Sequence, residues 1–149
     1  MKPTTTWILI ADGARARIFA NHGPGKGIEA VEGAEFETEL RPSRELRDDR
    51  PGRTFESANT MRHAITPRQD PHRELKRSFS EELAAILDEQ LAQKAYDRVV
   101  LVAPPVTLGD LRSALSARVR AVVYAELDKD LTKTPVAELP RHLGAVLAV

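Results

Sequence analysis

The chain has 149 residues, and its 22 lysines and arginines are matched by 22 aspartates and glutamates, so the formal charge is zero with histidines neutral. A chain of this length hides roughly 68–70% of the surface that its unfolded form exposes. With 42% hydrophobic and 30% charged residues it reads as one globular domain over residues 1–149. Cysteine is absent, which excludes disulfide scaffolds, thiol nucleophiles and thiolate zinc sites, and His22, His63, His72 and His142 share no metal-motif spacing; no metal and no cofactor is expected.

Thr5 to Ala11 is a short β-prone run, and Asp12-Gly13 after it is a turn signal. Its apolar core falls far short of the ~20 residues that a membrane helix needs. Asp12, Arg15 and Arg17 interrupt what would otherwise resemble a leader, so the expectation is a cytoplasmic protein with no membrane insertion. Ala14, Ala16, Ile18 and Ala20 alternate with Arg15, Arg17 and Phe19, which predicts the second arm of an antiparallel hairpin. Gly23 to Gly27 reads as a turn. It lacks the spacing and the hydroxyl of a phosphate loop. Residues Ile28 to Leu40 alternate again, with Ile28, Ala30, Ala34, Phe36 and Leu40 opposite a row of glutamates, predicting a third strand bulged near Gly33.

Residues Arg41 to Arg73 differ from everything around them. Eight arginines, five acids and four prolines fall here, a local charge of 8 − 5 = +3. A long segment without periodicity inside a compact domain is commonly functional. Arg47, Arg50, Arg53, Arg62 and Arg68, with Gly52 and His63 among them, are the candidate binding residues, because guanidinium pairs bidentately with phosphate. The competing reading pairs them locally with Glu45, Asp48, Asp49 and Glu56. His63, next to Arg62, could serve as a general base or a phosphate contact, but no residues of the sequence form a convincing nucleophile, base and oxyanion set.

From Pro71 the period becomes helical, with Leu75, Phe79, Leu83, Ile86, Leu87 and Leu91 as the apolar stripe to about Lys94. Arg98 to Ala103 reads as a strand buried on both faces. Thr107 is placed as the cap of the next helix, with Asp110 completing a capping box. The N-terminus of that helix, with Gly109 for close approach and Arg112 one turn in, is a candidate anion site made of Thr107, Gly109 and Arg112. Val119 to Leu127 is expected to be a strand, and a final helix from Pro135 buries Val136, Leu139, Leu143 and Leu147. Asp12, with Glu81, Glu82, Asp88 and Asp110 elsewhere, could furnish a two-metal nuclease site only if these carboxylates converge.

The order β-β-β, long segment, α-β-α-β-α implies an α/β fold with a mixed five-stranded sheet in a single three-layer domain of ribonuclease H-like architecture. Six stretches in a fixed order carry a further resemblance. They are Ala11 to Arg17, Asp49 to Phe55, Arg62-His63, Ala103-Pro104-Pro105, Leu108 to Arg112, and Asp128 to Leu131 with His142-Leu143 downstream. Together they resemble the bacterial host-attachment protein family, over nearly the whole chain. That resemblance implies kinship with the central domain of archaeal and eukaryotic peptide-chain release factors, where the equivalent segment carries a Gly-Gly-Gln motif that promotes peptidyl-tRNA hydrolysis. Here Gly52 is the one glycine between Arg41 and Arg73, and Gln69 lacks the preceding glycines. The expectation is therefore a binding module, not an enzyme, whose partner is the ribosome or a structured RNA. The alternatives are a protein-interaction factor in host-cell attachment or regulation and, behind it, a ribonuclease H-like hydrolase. Oligomeric state leaves no signature in the sequence.

Overall fold

The computed structural model describes residues 3–38 and 71–149. Five strands form one sheet in the order β3-β2-β1-β4-β5. Strand β1 (Thr6–Ala11) pairs antiparallel with β2 (Arg15–Asn21), which pairs antiparallel with β3 (Glu29–Glu37). On its other side β1 pairs parallel with β4 (Arg98–Val102), and β4 pairs parallel with β5 (Val123–Leu127). Every residue of β1 is buried, as its central place requires.

Alternation divides the apolar side chains between two faces. On one face Trp7, Leu9, Ala16, Ile18, Val99 and Leu101 pack against the helices that connect the strands. These are α1 (Pro71–Ala92), α2 (Pro105–Ala114) and the single turn α3 (Ala117–Arg120). On the other face Ile8, Ile10, Phe19, Val100 and Val102 are covered by Leu131, Leu139, Leu143 and Leu147 from the C-terminal segment. That segment holds a 3-10 turn (Val136–Glu138) and the short helix α4 (Leu139–Leu143). The result is the expected α/β architecture, a mixed five-stranded sheet between two covering layers.

The structure departs from the expected elements at several places. Helix α2 starts at Pro105 with Pro104 as its cap and no side-chain capping bond, so Thr107 lies inside the first turn and is buried. The fixed φ of Pro105 suits the first helical position, and the helix starts there, two residues before the expected hydroxyl cap. Strand β5 is shorter than expected because Ser116 caps α3, its hydroxyl accepting from Val119 N at 3.3 Å, which coils Ala117 to Arg120 before the strand begins. Val136 is not part of the buried stripe: it is 49% exposed, because the chain around it is a 3-10 turn whose period differs from that of α4. In β3 the bulge falls where Gly33 takes a φ of 72°, and the pairing jumps from Arg17–Glu35 to Phe19–Ala30. The jump leaves Ala30 exposed while Ala34 stays buried, so the expected single apolar face is split. Leu40 lies outside the described residues.

Helix α1 ends two residues before the expected Lys94. Lys94 itself turns left-handed at φ 60° and donates its N–H to Leu91 O, while Ala95 N reaches Gln90 O. Beyond the stop, Tyr96 stacks on Trp7 with centroids 4.7 Å apart and donates its hydroxyl to Leu87 O at 2.7 Å. Burial raises the Tyr96 phenol well above its ordinary range.

One ion pair ties α1 to α3. Asp88 accepts from Arg118 Nε at 2.8 Å and from Ser116 Oγ at 2.6 Å, and these bonds hold its carboxyl at about 2, below its usual value. A carboxyl depressed on folding adds stability above its unfolded pKa of about 3.9 and loses that contribution as pH falls towards 2. Asp88→Asn should therefore lower Tm at pH 7 and flatten the fall of Tm between pH 4 and pH 2. A variant whose acid limb runs parallel to that of the wild type would show that Asp88 contributes nothing to it.

Candidate functional site

Strands β1, β3, β4 and β5 run in one direction, so their carboxyl ends lie along one edge of the sheet. In open α/β sheets this is the edge where ligands are usually held. Both anchors of the arginine-rich segment lie on it. Thr38, just past β3, donates its N–H to Ala14 O at 2.9 Å. Pro71 opens α1, which then runs back towards the start of β4.

The β1–β2 turn shapes the centre of this edge. Asp12 N donates to Arg15 O, and Asp12 Oδ1 accepts from Ala14 N at 2.7 Å and Arg15 N at 2.8 Å. Neither Gly13 nor Ala14 has a positive φ, so the turn does not need the left-handed backbone that an Asp-Gly pair commonly supplies. The glycine serves clearance. A Cβ on Gly13 would lie 2.6 Å from Lys76 Cγ, because the Lys76 stem is laid directly across the turn. Among the described residues the Lys76 ammonium has no carboxylate or hydrogen-bond partner.

Asp12 Oδ2 accepts from Thr132 Oγ1 at 3.0 Å, and Asp130 Oδ1 lies 2.7 Å from the same hydroxyl. Arg17 completes this anchorage: its Nη2 donates to Leu131 O at 2.7 Å and to Thr134 O at 2.8 Å. The loop after β5 is thus bolted to the first hairpin. Arg17 Nε is buried without an acceptor among the described residues, and the guanidinium carbon sits 5.4 Å from the centre of the Phe19 ring. Beside it opens a cleft of about 430 Å³ lined by Arg15, Arg17, Glu35, Glu37, Phe36 and Thr132. Its charges are mixed, with Arg15 Nε 3.8 Å from Glu37.

Helix α1 is fixed to α2 by Arg73, whose two terminal nitrogens donate to the two oxygens of Asp110 at 2.7 and 2.6 Å. The hydrogen bonds to Asp110 raise the Arg73 pKa further. Asp110 is therefore part of an interhelical fork and not of a capping box. Arg112 is engaged as well, its Nε donating to Glu126 Oε1 on β5 at 2.9 Å. Of the three residues expected to hold an anion, Thr107 is buried in the first turn, Gly109 faces open space and Arg112 is paired with Glu126.

Arg47, Arg50, Gly52, Arg53, Arg62, His63 and Arg68 lie outside the described residues. The carboxylates considered for a nuclease do not come together: Asp12 binds the turn and Thr132, Asp88 binds Arg118, and Asp110 binds Arg73. Among the described residues no group of three or more His, Asp or Glu side chains could hold a metal ion. None of the described helices is long and apolar enough to cross a membrane.

Sequence reasoning missed Arg17, Lys76 and Thr132. Arg17 had a legible signal, since it is a charged residue in the middle of an apolar strand. Lys76 and Thr132 had none, because their roles arise from segments 63 and 120 positions from the Asp12-Gly13 turn (76 − 13 and 132 − 12).

Residues 7–143 match the family model described as protein required for attachment to host cells. No curated protein matches the chain.

Proposed function

Because the chain belongs to the family of proteins required for attachment to host cells, we propose that it is a binding module that presents its arginine-rich segment to structured RNA, on the ribosome. The observation that carries this reading is the placement of that segment's anchors. Thr38 and Pro71 hold both of its ends on the carboxyl edge of the sheet, beside the Lys76 side chain, which has no partner among the described residues. A segment carrying Arg47, Arg50, Arg53, Arg62 and Arg68 is then displayed from a rigid base, and phosphate contacts supply most of the affinity of such surfaces. The resemblance to release-factor central domains supports translation as the setting, and the missing Gly-Gly-Gln sequence speaks for binding without hydrolysis.

Arg17, Asp12 and Thr132 act in this reading as positioning residues, fixing the edge that carries Thr38 and Pro71. Gly13 and Lys76 shape the surface between the two anchors.

The test is salt-dependent binding to ribosomal particles and to purified ribosomal RNA. Wild-type affinity should fall steeply as salt rises. Replacing Arg47, Arg50 and Arg53 together by alanine should reduce the slope of log K against log salt by about 2–3, with Tm unchanged. Equal sedimentation of wild type and triple variant across the salt series would remove the basis of the proposal, and retention that survives nuclease treatment would point to a protein partner.

A further inference from the structure

The opposite end of the sheet carries a feature that the sequence does not single out. Tyr124, on the terminal strand β5, is 51% exposed, and the Arg98 guanidinium lies over its ring with the central carbon 3.8 Å from the centroid. That cation is held from behind, Arg98 Nε donating at 2.8 Å to the hydroxyl of Thr6, a fully buried residue of β1. The stack is therefore preorganised: the guanidinium plane is fixed by the sheet interior, and one face of the tyrosine is fixed by the guanidinium.

Among the described residues Arg98 makes no ion pair and its side-chain hydrogen bond uses Nε, so Nη1 and Nη2 have no partner there. The arginines of α2 and α3 are engaged, Arg112 with Glu126, Arg118 with Asp88 and Arg120 through Nη2 with Leu115 O. Among the described residues β5 is the last strand of the sheet, with no strand paired beyond it.

We infer that Arg98 and Tyr124 form a nucleotide-binding platform for single-stranded RNA, the Tyr124 ring stacking one base while the Nη donors of Arg98 take the adjoining phosphate. Base–aromatic stacking is tolerant of sequence because each base offers a π-face, and a guanidinium behind the ring adds both charge and rigidity. An apolar peptide would use the ring and leave the guanidinium fork unanswered; a nucleotide answers both. The site deepens the RNA-binding reading, on which it rests for its setting, but its residues are separate from the arginine-rich segment.

The separation makes the two claims distinguishable. A six-nucleotide oligo(A) is titrated into the full chain while the Arg98 Nε–H and Tyr124 ring resonances are followed by NMR. Both signals should shift in the wild type and equally in the Arg47, Arg50, Arg53 triple alanine variant. Tyr124→Ala should weaken oligo(A) binding on the order of 10-fold, Tyr124→Phe should retain it, and Arg98→Lys should lose more than Tyr124→Phe because a lysine cannot present the planar fork. Tm measured for each variant guards against loss of fold. Tyr124 ring signals unmoved at saturating oligo(A), or equal affinity for Tyr124→Ala and wild type, would overturn the platform and leave the reading of the arginine-rich segment standing. Loss of ribosomal binding in the triple variant alongside intact oligo(A) shifts supports both.

Discussion

Leu139→Ala is expected to lower stability by about 2–5 kcal/mol and Tm by roughly 5–20 °C. The side chain is fully buried, packed with Leu143 and Leu147 onto Ile8, Ile10, Phe19, Val100 and Val102. Truncating it removes apolar contact and leaves a cavity that fixed strands cannot close, because β1 is held by β2 on one side and β4 on the other. The effect should exceed what the little regular structure around it suggests. Only Val136–Glu138 and Leu139–Leu143 are helical there, so this covering layer is held by side-chain burial and by the bonds from Arg17 and Asp12 and not by its own backbone ladder. Val136→Ala is the matched control. Half exposed and three residues away, it should change Tm by no more than a surface substitution does, about 0.5 kcal/mol in stability. Thermal or urea unfolding of both variants decides the point; a Leu139→Ala protein as stable as Val136→Ala would show that the C-terminal layer is not part of the cooperative core.

The same pair of residues shows how much of the fold is legible in the sequence. Leu139, Leu143 and Leu147 stand out as a buried stripe because burial imposes its spacing on the sequence whatever the exact helix type. Val136 is misplaced by that spacing because it lies in a 3-10 segment, where three residues and not 3.6 complete a turn. Strands β1, β2 and β4 are legible for the same reason as the leucines: Ile8, Ile18 and Val100 belong to runs whose alternation or unbroken apolarity fits a buried strand and little else. Starts and stops are harder. Thr107 and Asp110 satisfy the pattern of a capping box, yet Pro104 and Pro105 start the helix first, and Asp110 meets Arg73 from a helix 37 positions away (110 − 73). A sequence pattern reports local options, and a long-range partner decides between them. The site follows the same division: the arginine-rich segment stands out by composition alone, whereas the Lys76 stem over Gly13 and the Arg98–Tyr124 stack exist only once the chain is folded.

Arg73→Ala should be costly for a related reason, lowering stability by about 2 kcal/mol. The Asp110 side chain is 11% exposed, and both of its oxygens are bound by the Arg73 fork. Removing the guanidinium strands a mostly buried carboxylate with neither its hydrogen bonds nor its counter-charge, which is worse than removing both groups. The double variant Arg73→Ala, Asp110→Ala should accordingly be more stable than Arg73→Ala alone, with a coupling energy of about 1–2 kcal/mol in a double-mutant cycle. Because the carboxylate is shielded, the coupling should persist at 1 M salt, where an exposed pair such as Arg77–Glu74 would be screened. Additive single effects would mean that the fork carries no net energy. The consequence for function follows from position, since Arg73 is the third residue of α1 and fixes the end of that helix from which the arginine-rich segment is displayed. Arg73→Ala should therefore weaken binding to ribosomal particles at a temperature where the variant is fully folded, while leaving the salt slope close to that of the wild type. A slope reduced by about 1 would instead identify Arg73 as a phosphate contact in its own right, released from Asp110 when RNA binds.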